Sequence, residues 1–161
     1  MKDLVIGLGS NLGDRKANIG RAIGLIGQKV GRVTALSAMI ETEPWGFESD
    51  HKFLNCVAII SGKDILPAPG PNRIREIIGI LQSIESDSGR VRTGVFTDRA
   101  IDLDILFYGD EIIHEPGITI PHPRLHERDF ILVSLMELFP DRVHPLLGKT
   151  IRELSGSGPA F

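Results

Sequence analysis

The sequence predicts an α+β fold, an antiparallel sheet with helices packed on one face. Three observations carry that reading. Short apolar runs at 4–10 (LVIGLGS), 53–61 (FLNCVAIIS) and 101–108 (IDLDILFY) have the length and apolar content of buried strands. Two segments, 15–30 and 73–86, instead repeat their apolar residues at helical spacing. The chain is 161 residues long, 42% hydrophobic and 24% charged, which is enough apolar material for one core and too much for a disordered chain. A single domain over residues 1–161 is expected, with a mobile tail over 155–161.

The elements follow in order. Leu4–Ser10 is a strand ended by glycine and polar residues. Asp14 is a good N-cap for a helix over 15–30, where Ile19, Ala22, Ile23, Ile26 and Val30 share a face. Three internal glycines there suggest close packing against the sheet. Val33–Thr42 reads as the second strand, broken by Pro44 and Gly46, which open a loop through His51. Phe53–Ser61 is the third strand. Residues 62–72 (GKDILPAPGPN) form a connector. Asn72 caps a helix running to about Ser86, with Ile74, Ile77, Ile78, Leu81 and Ile84 on one face. Residues 87–100 read as a polar loop. Ile101–Tyr108 is the next strand, Gly109–Asp110 a turn, and Glu111–His114 a short return strand. IPHPRLHERD then leads into a last helix over about 128–138. The order βαββαβ with a hairpin and a C-terminal helix is the ferredoxin-like arrangement.

Composition narrows the function. A lone Cys56 excludes an internal disulfide framework. No apolar run approaches the ~20 residues that span a bilayer, so no membrane association is expected. The opening MKDLVIGLGSNLG is too short and glycine-rich for a signal peptide, so a cytoplasmic protein is expected. The net charge of −3 and the lack of an RNP1-type aromatic run argue against nucleic-acid binding.

The sharpest chemical signal is Asp102-Leu103-Asp104. Side chains alternate along a strand, so the two carboxylates share one face while Ile101, Leu103 and Ile105 face the core. About 7 Å apart, they repel by roughly 2–3 kcal/mol at an effective dielectric near 20. A cation relieves that repulsion, and hard oxygen ligands suit Mg²⁺ bound with substrate phosphates. The competing reading is a solvated strand face. Arg90, Arg92 and Arg99 lie just upstream. Guanidinium forks match phosphate oxygens, so acid pair and arginines together fit phosphoryl transfer from a nucleotide. The same arginines would also neutralise Asp98, Asp102 and Asp104.

Other signals are weaker. His122, flanked by two prolines, suits a phosphate or sugar hydrogen bond better than zinc with His126, because the prolines disfavour a helix. Arg128 is a further phosphate candidate. GLGSNLG matches neither G-x-G-x-x-G nor a P-loop and reads as a strand end with tight turns. Cys56 reads as a small core residue. Thr42, Trp45, Phe53 and Asn55 group together, Phe53 and Asn55 on one strand face, as an aromatic plate and an amide for a flat heterocycle. Phe130 offers a second plate. These aromatics would equally serve a core.

Taken together, IGLGSNLGD, ETEPWG followed by FLN, GRVR, DRAIDLDILFYG and ITIPHPRLHERDF resemble the 6-hydroxymethyl-7,8-dihydropterin pyrophosphokinase family over nearly the whole length. The resemblance implies a monomeric ferredoxin-like enzyme of folate synthesis that moves pyrophosphate from ATP to the pterin hydroxymethyl group and releases AMP. It implies that Asp102 and Asp104 hold two Mg²⁺ ions. Arg90, Arg92, Arg99, His122 and Arg128 would face the ATP phosphates, and Gln82, Glu85, Ile105 and Thr119 the rest of the nucleotide. Phe53 and Phe130 would enclose the pterin, with Thr42 and Asn55 reading its edges and the backbone at Glu43 and Trp45 completing the pocket. The 87–100 loop would close over ATP. Three departures stand out. Phe96-Thr97-Asp98 replaces the family's common Trp-Gly-Pro, one residue closer to Arg92. Pro123 and Phe53 each stand where the family commonly has Tyr.

Overall fold

The computed structural model describes residues 2–66, 70–89 and 97–156. Strand β1 (Leu4–Ser10) runs between β4 (Phe53–Ile65) and β5 (Asp102–Tyr108), and β2 (Gly31–Leu36) pairs on the far side of β4. A short β3 (Ile40–Thr42) continues that edge against Phe53–Asn55. Every pairing is antiparallel.

Strand alternation divides the core in two. Leu4, Ile6 and Leu8 face one side with Cys56, Ala58, Ile60, Ile101 and Leu103. Helices α1 (Arg15–Lys29) and α2 (Arg73–Asp87) cover that side through Ile19, Ala22, Ile26, Ile74, Ile77, Leu81 and Ile84. Val5, Val57, Leu106 and Phe107 face the other side, covered by α3 (Asp129–Leu138) and α4 (Ile151–Gly156). The C-terminal helix thus goes to the face opposite α1 and α2. Leu106 and Phe107 are consecutive yet point the same way, because Val5 pairs with Phe107 and Ile6 with Ile105. This bulge leaves Leu106 as the extra residue and buries both side chains fully, worth about 1.5–3 kcal/mol each.

Several expectations need correction. The second strand is not continuous. It breaks at Ser37–Met39, where the Ser37 hydroxyl accepts the Val57 N–H at 2.8 Å and the Glu137 carboxylate accepts the Ala38 N–H at 3.0 Å. Side chains thus take over ladder positions that backbone would fill. The third strand runs on to Ile65, into the expected connector, because Gly31 pairs opposite Ile65. The expected return strand after Gly109–Asp110 does not pair with β5. Instead β6 (Ile113–Glu115) pairs with β7 (Ile118–Ile120) across Pro116–Gly117, and Gly117 at φ +77° supplies the left-handed turn position. Asn72 precedes α2 without a side-chain cap bond, whereas Asp14 accepts the Ala17 N–H as expected. Helix α4 has no counterpart in the sequence reading; residues 157–161 of the expected tail lie outside the described residues. Among the described residues no helix is long and apolar enough to cross a membrane.

The α1 glycines do not pack closely. A Cβ at Gly20, Gly24 or Gly27 would meet nothing within 4 Å. Their cost is therefore entropy alone, and Gly24→Ala is expected to stabilise the fold by about 1 kcal/mol, measured as a raised midpoint in thermal or urea unfolding.

Candidate active site

The site forms where the ends of β1, β4 and β5 meet the start of α3. Gly7 pairs with Asp104 and Gly9 with Asp102, so the two carboxylates lie beside a stretch of β1 without side chains. Asp102 and Asp104 share one strand face as expected, opposite buried Leu103. Each meets an arginine. Arg99 Nη2 lies 3.5 Å from Asp102 Oδ2, and Arg128 Nη1 lies 3.5 Å from Asp104 Oδ2. Both arginines are nearly buried, at 8% and 9% exposure. The Nε of Arg128 finds no hydrogen-bond partner among the described residues, an arrangement an anion would complete.

Two cavities meet at Asp104. The first is lined by Thr42, Glu43, Trp45, Phe53, Asn55 and Phe130, with Gly7, Gly9, Arg99, Asp102, Asp104 and Arg128. The second is lined by Gln82, Glu85, Ile105, Thr119 and His122, again with Asp104. The structure therefore brings together Asp102, Asp104, Arg99, Arg128 and both expected ligand groups. Arg90 and Arg92 lie outside the described residues, as do residues 90–96 of the expected closing loop.

Local chemistry sets each group. Asn55 Nδ2 donates to Thr42 Oγ1 at 2.7 Å across the β3–β4 pair, which orients the amide. Trp45 lies against two guanidiniums, Arg128 at 4.7 Å and Arg124 at 5.2 Å from its ring centre. Arg99 packs over Phe53 at 5.1 Å and Phe47 at 5.6 Å. Glu85, 1% exposed, accepts the Leu103 N–H at 3.4 Å. Cys56 is buried in the first core, where desolvation pushes its thiol up to about 12, consistent with a structural residue.

His122 sits between β7 and the short turn Leu125–Glu127, not in a helix. Its Nδ1 accepts the Arg124 N–H at 3.1 Å, which places the proton of the neutral ring on Nε2. Burial, then the Arg128 charge, pushes the imidazole down to about 4. The unfolded chain takes up this proton near pH 6.5, so between those values the unfolded state holds more protons and stability falls as pH is lowered. The loss at pH 5 should be on the order of 1–2 kcal/mol. Urea unfolding at pH 7 and pH 5 checks this: His122→Gln should lose less stability over that interval than the wild type.

Sequence reasoning missed Gly9, Asn11, Phe47 and the bonding of Asp98. A Cβ at Gly9 would stand 2.6 Å from Asn55 Oδ1. Glycines at alternate positions of a buried strand are the signal that could have found it. Asn11, 2% exposed, accepts the Arg99 N–H at 2.7 Å and donates to Asp98 at 2.7 Å. The Ser49 hydroxyl, first among several contacts, holds the Asp98 carboxyl below the usual carboxylate range.

The donor set fits a hard cation completed by phosphate. Among the described residues no cluster of three or more His, Cys, Asp or Glu side chains forms a self-sufficient metal site. Two carboxylates beside a cationic cleft are instead what Mg²⁺ shares with a polyphosphate. Such a pair between two ligand cavities is an arrangement suited to metal-assisted phosphoryl transfer. Residues 5–140 match the model of the 7,8-dihydro-6-hydroxymethylpterin-pyrophosphokinase (HPPK) family, and the chain belongs to that family. It is 38% identical over 149 residues to 2-amino-4-hydroxy-6-hydroxymethyldihydropteridine pyrophosphokinase of Porphyromonas gingivalis, covering 90% of this chain and 95% of the relative. The Aquifex aeolicus enzyme of the same name is 34% identical over 153 residues, covering 95% and 90%. Among solved structures, Plasmodium falciparum HPPK-DHPS is similar in fold, with a TM-score of 0.75 at 16% identity over 96% of this chain and 44% of that one.

Proposed function

We propose that this chain transfers the terminal pyrophosphoryl group of ATP to the hydroxymethyl oxygen of 6-hydroxymethyl-7,8-dihydropterin, releasing AMP. The observation that carries the reading is the meeting of the two cavities at Asp104, with the expected pterin group in one and the expected nucleotide group in the other. A hydroxyl held in the first is thereby next to the polyphosphate of a nucleotide held in the second, whose phosphates would pass Asp104 to reach Arg99 and Arg128.

Phe53 and Phe130 supply apolar faces for the pterin ring, while Asn55 and Thr42 offer donors and acceptors to its edge. The backbone at Glu43 and Trp45 closes the wall. Gln82, Glu85, Ile105 and Thr119 hold the nucleoside. Arg99 and Arg128 bind phosphate oxygens, and His122 donates its Nε2–H to another. The hydroxyl oxygen attacks the β-phosphorus in line. The new O–P bond forms as the bond to the α–β bridging oxygen breaks, the hydroxyl proton is released, and AMP leaves. Asp102 and Asp104 would hold Mg²⁺, two ions by family resemblance, which when bound offsets triphosphate charge and acidifies the hydroxyl. The chain itself contributes position and preorganised charge, which suffice for this reaction type.

Incubation with ATP, Mg²⁺ and the reduced hydroxymethylpterin tests the reading. AMP and the pterin pyrophosphate should appear together. ADP in place of AMP, or binding without turnover, would overturn it in favour of an ordinary kinase or a non-catalytic nucleotide-binding module.

A further inference from the structure

We propose that Asp98 is a positioning residue that joins the phosphate-binding side of the site to the pterin-binding loop. This rests on the functional reading above. Asp98 stands one residue before Arg99 and outside the expected ligand set. One of its oxygens, Oδ1, accepts two hydrogen bonds: from the Ser49 hydroxyl at 2.5 Å and from Asn11 Nδ2 at 2.7 Å. His51 Nε2 lies 3.9 Å from its other oxygen.

These partners come from the end of β1 and from the loop between β3 and β4, which also meet directly where Asn11 Nδ2 donates to the His51 carbonyl at 3.2 Å. Asn11 follows the end of β1 and grips Arg99 twice, accepting its N–H at 2.7 Å and donating its own N–H to the Arg99 carbonyl at 3.1 Å. Ser49 belongs to the irregular loop between β3 and β4 that carries Trp45 and Phe47. The Ser49 oxygen also accepts the His51 N–H at 3.1 Å, so one hydroxyl both shapes the loop and ties it to Asp98. With the tie in place, the Arg99 guanidinium packs on Phe47 of that loop and on Phe53, and faces Asp102. Ordering Arg99 on a nucleotide therefore also orders the pterin wall. In thermodynamic terms the tie carries coupling between the two ligands, and the coupling is reciprocal.

The test is the affinity for 6-hydroxymethyl-7,8-dihydropterin with and without Mg²⁺ and α,β-methylene-ATP, read by the fluorescence of Trp45, the single tryptophan. In the wild type the nucleotide analogue should tighten pterin binding about tenfold or more. Asp98→Ala should reduce that ratio to within about twofold, with its unfolding midpoint measured alongside. Asp98→Asn retains an oxygen that accepts both hydrogen bonds and should keep most of the ratio. Ser49→Ala removes a single hydroxyl, should fall between, and carries the test if Asp98→Ala does not fold. An unchanged ratio in Asp98→Ala or Ser49→Ala, no coupling in the wild type, or loss of coupling in Asp98→Asn would each overturn the inference. Failure of the functional reading is a different result, namely no AMP from the wild-type protein.

Discussion

Asp104→Ala is expected to lower AMP release by at least roughly 10²–10³-fold, the scale of losing one preorganised charge-stabilising group, while the fold persists. Among the described residues Asp104 is the one carboxylate common to both cavities. Its side chain faces the site, and neither core cluster contains it. Removal costs the pairing with Arg128 at 3.5 Å but also relieves repulsion from Asp102, so the two effects on stability oppose each other. Asp104→Asn separates charge from shape. It keeps the side-chain volume and loses the anion, and it should be nearly as inactive as alanine. Thermal unfolding and an AMP assay on the same preparations check both halves. Near-normal turnover by either variant would remove Asp104 from the metal-holding role. Asp102→Ala should behave in the same way, with Arg99 rather than Arg128 losing its partner.

Gly9→Ala is expected to weaken pterin binding by about tenfold or more, the equivalent of one good hydrogen bond, while nucleotide binding changes little. The added methyl would stand 2.6 Å from Asn55 Oδ1, closer than any real contact, so the amide must turn away. Turning it breaks the 2.7 Å hydrogen bond to Thr42 that orients the amide. Gly9 has no left-handed backbone requirement, and alanine suits a strand better than glycine, so stability should hold. The nucleotide cavity does not include Gly9. Calorimetric titration with each ligand checks the split. A double-mutant cycle sharpens it: in an Asn55→Ala background the same substitution should add little, because its collision partner is gone. Equal losses for both ligands would indicate a general distortion of β1 instead.

Much of the fold was legible because strands and helices leave periodic signals. The alternation in IDLDILFY placed both aspartates on one face, and the 3.6-residue repeats marked α1 and α2. What periodicity could not give was the identity of partners. The break at Ser37–Met39 depends on Glu137, a hundred residues away, capturing the Ala38 N–H. The hairpin formed across Pro116–Gly117 and not after Gly109, although both carry turn glycines at positive φ. The bulge at Leu106 answers to the pairing of Val5, not to anything local.

The sequence by itself determined the chemistry available: two carboxylates in strand register, several arginines, an aromatic and an amide on alternate positions, and the ordered motif blocks that carry the family. Those follow from residue type and local backbone repeat. Only the tertiary structure decided which of them meet. It set Gly9 against Asn55, joined Ser49 to Asp98 and made Asp104 the wall between two cavities. Such contacts cross dozens of residues of chain, and close packing selects them because a side chain's neighbours in space are not its neighbours in sequence.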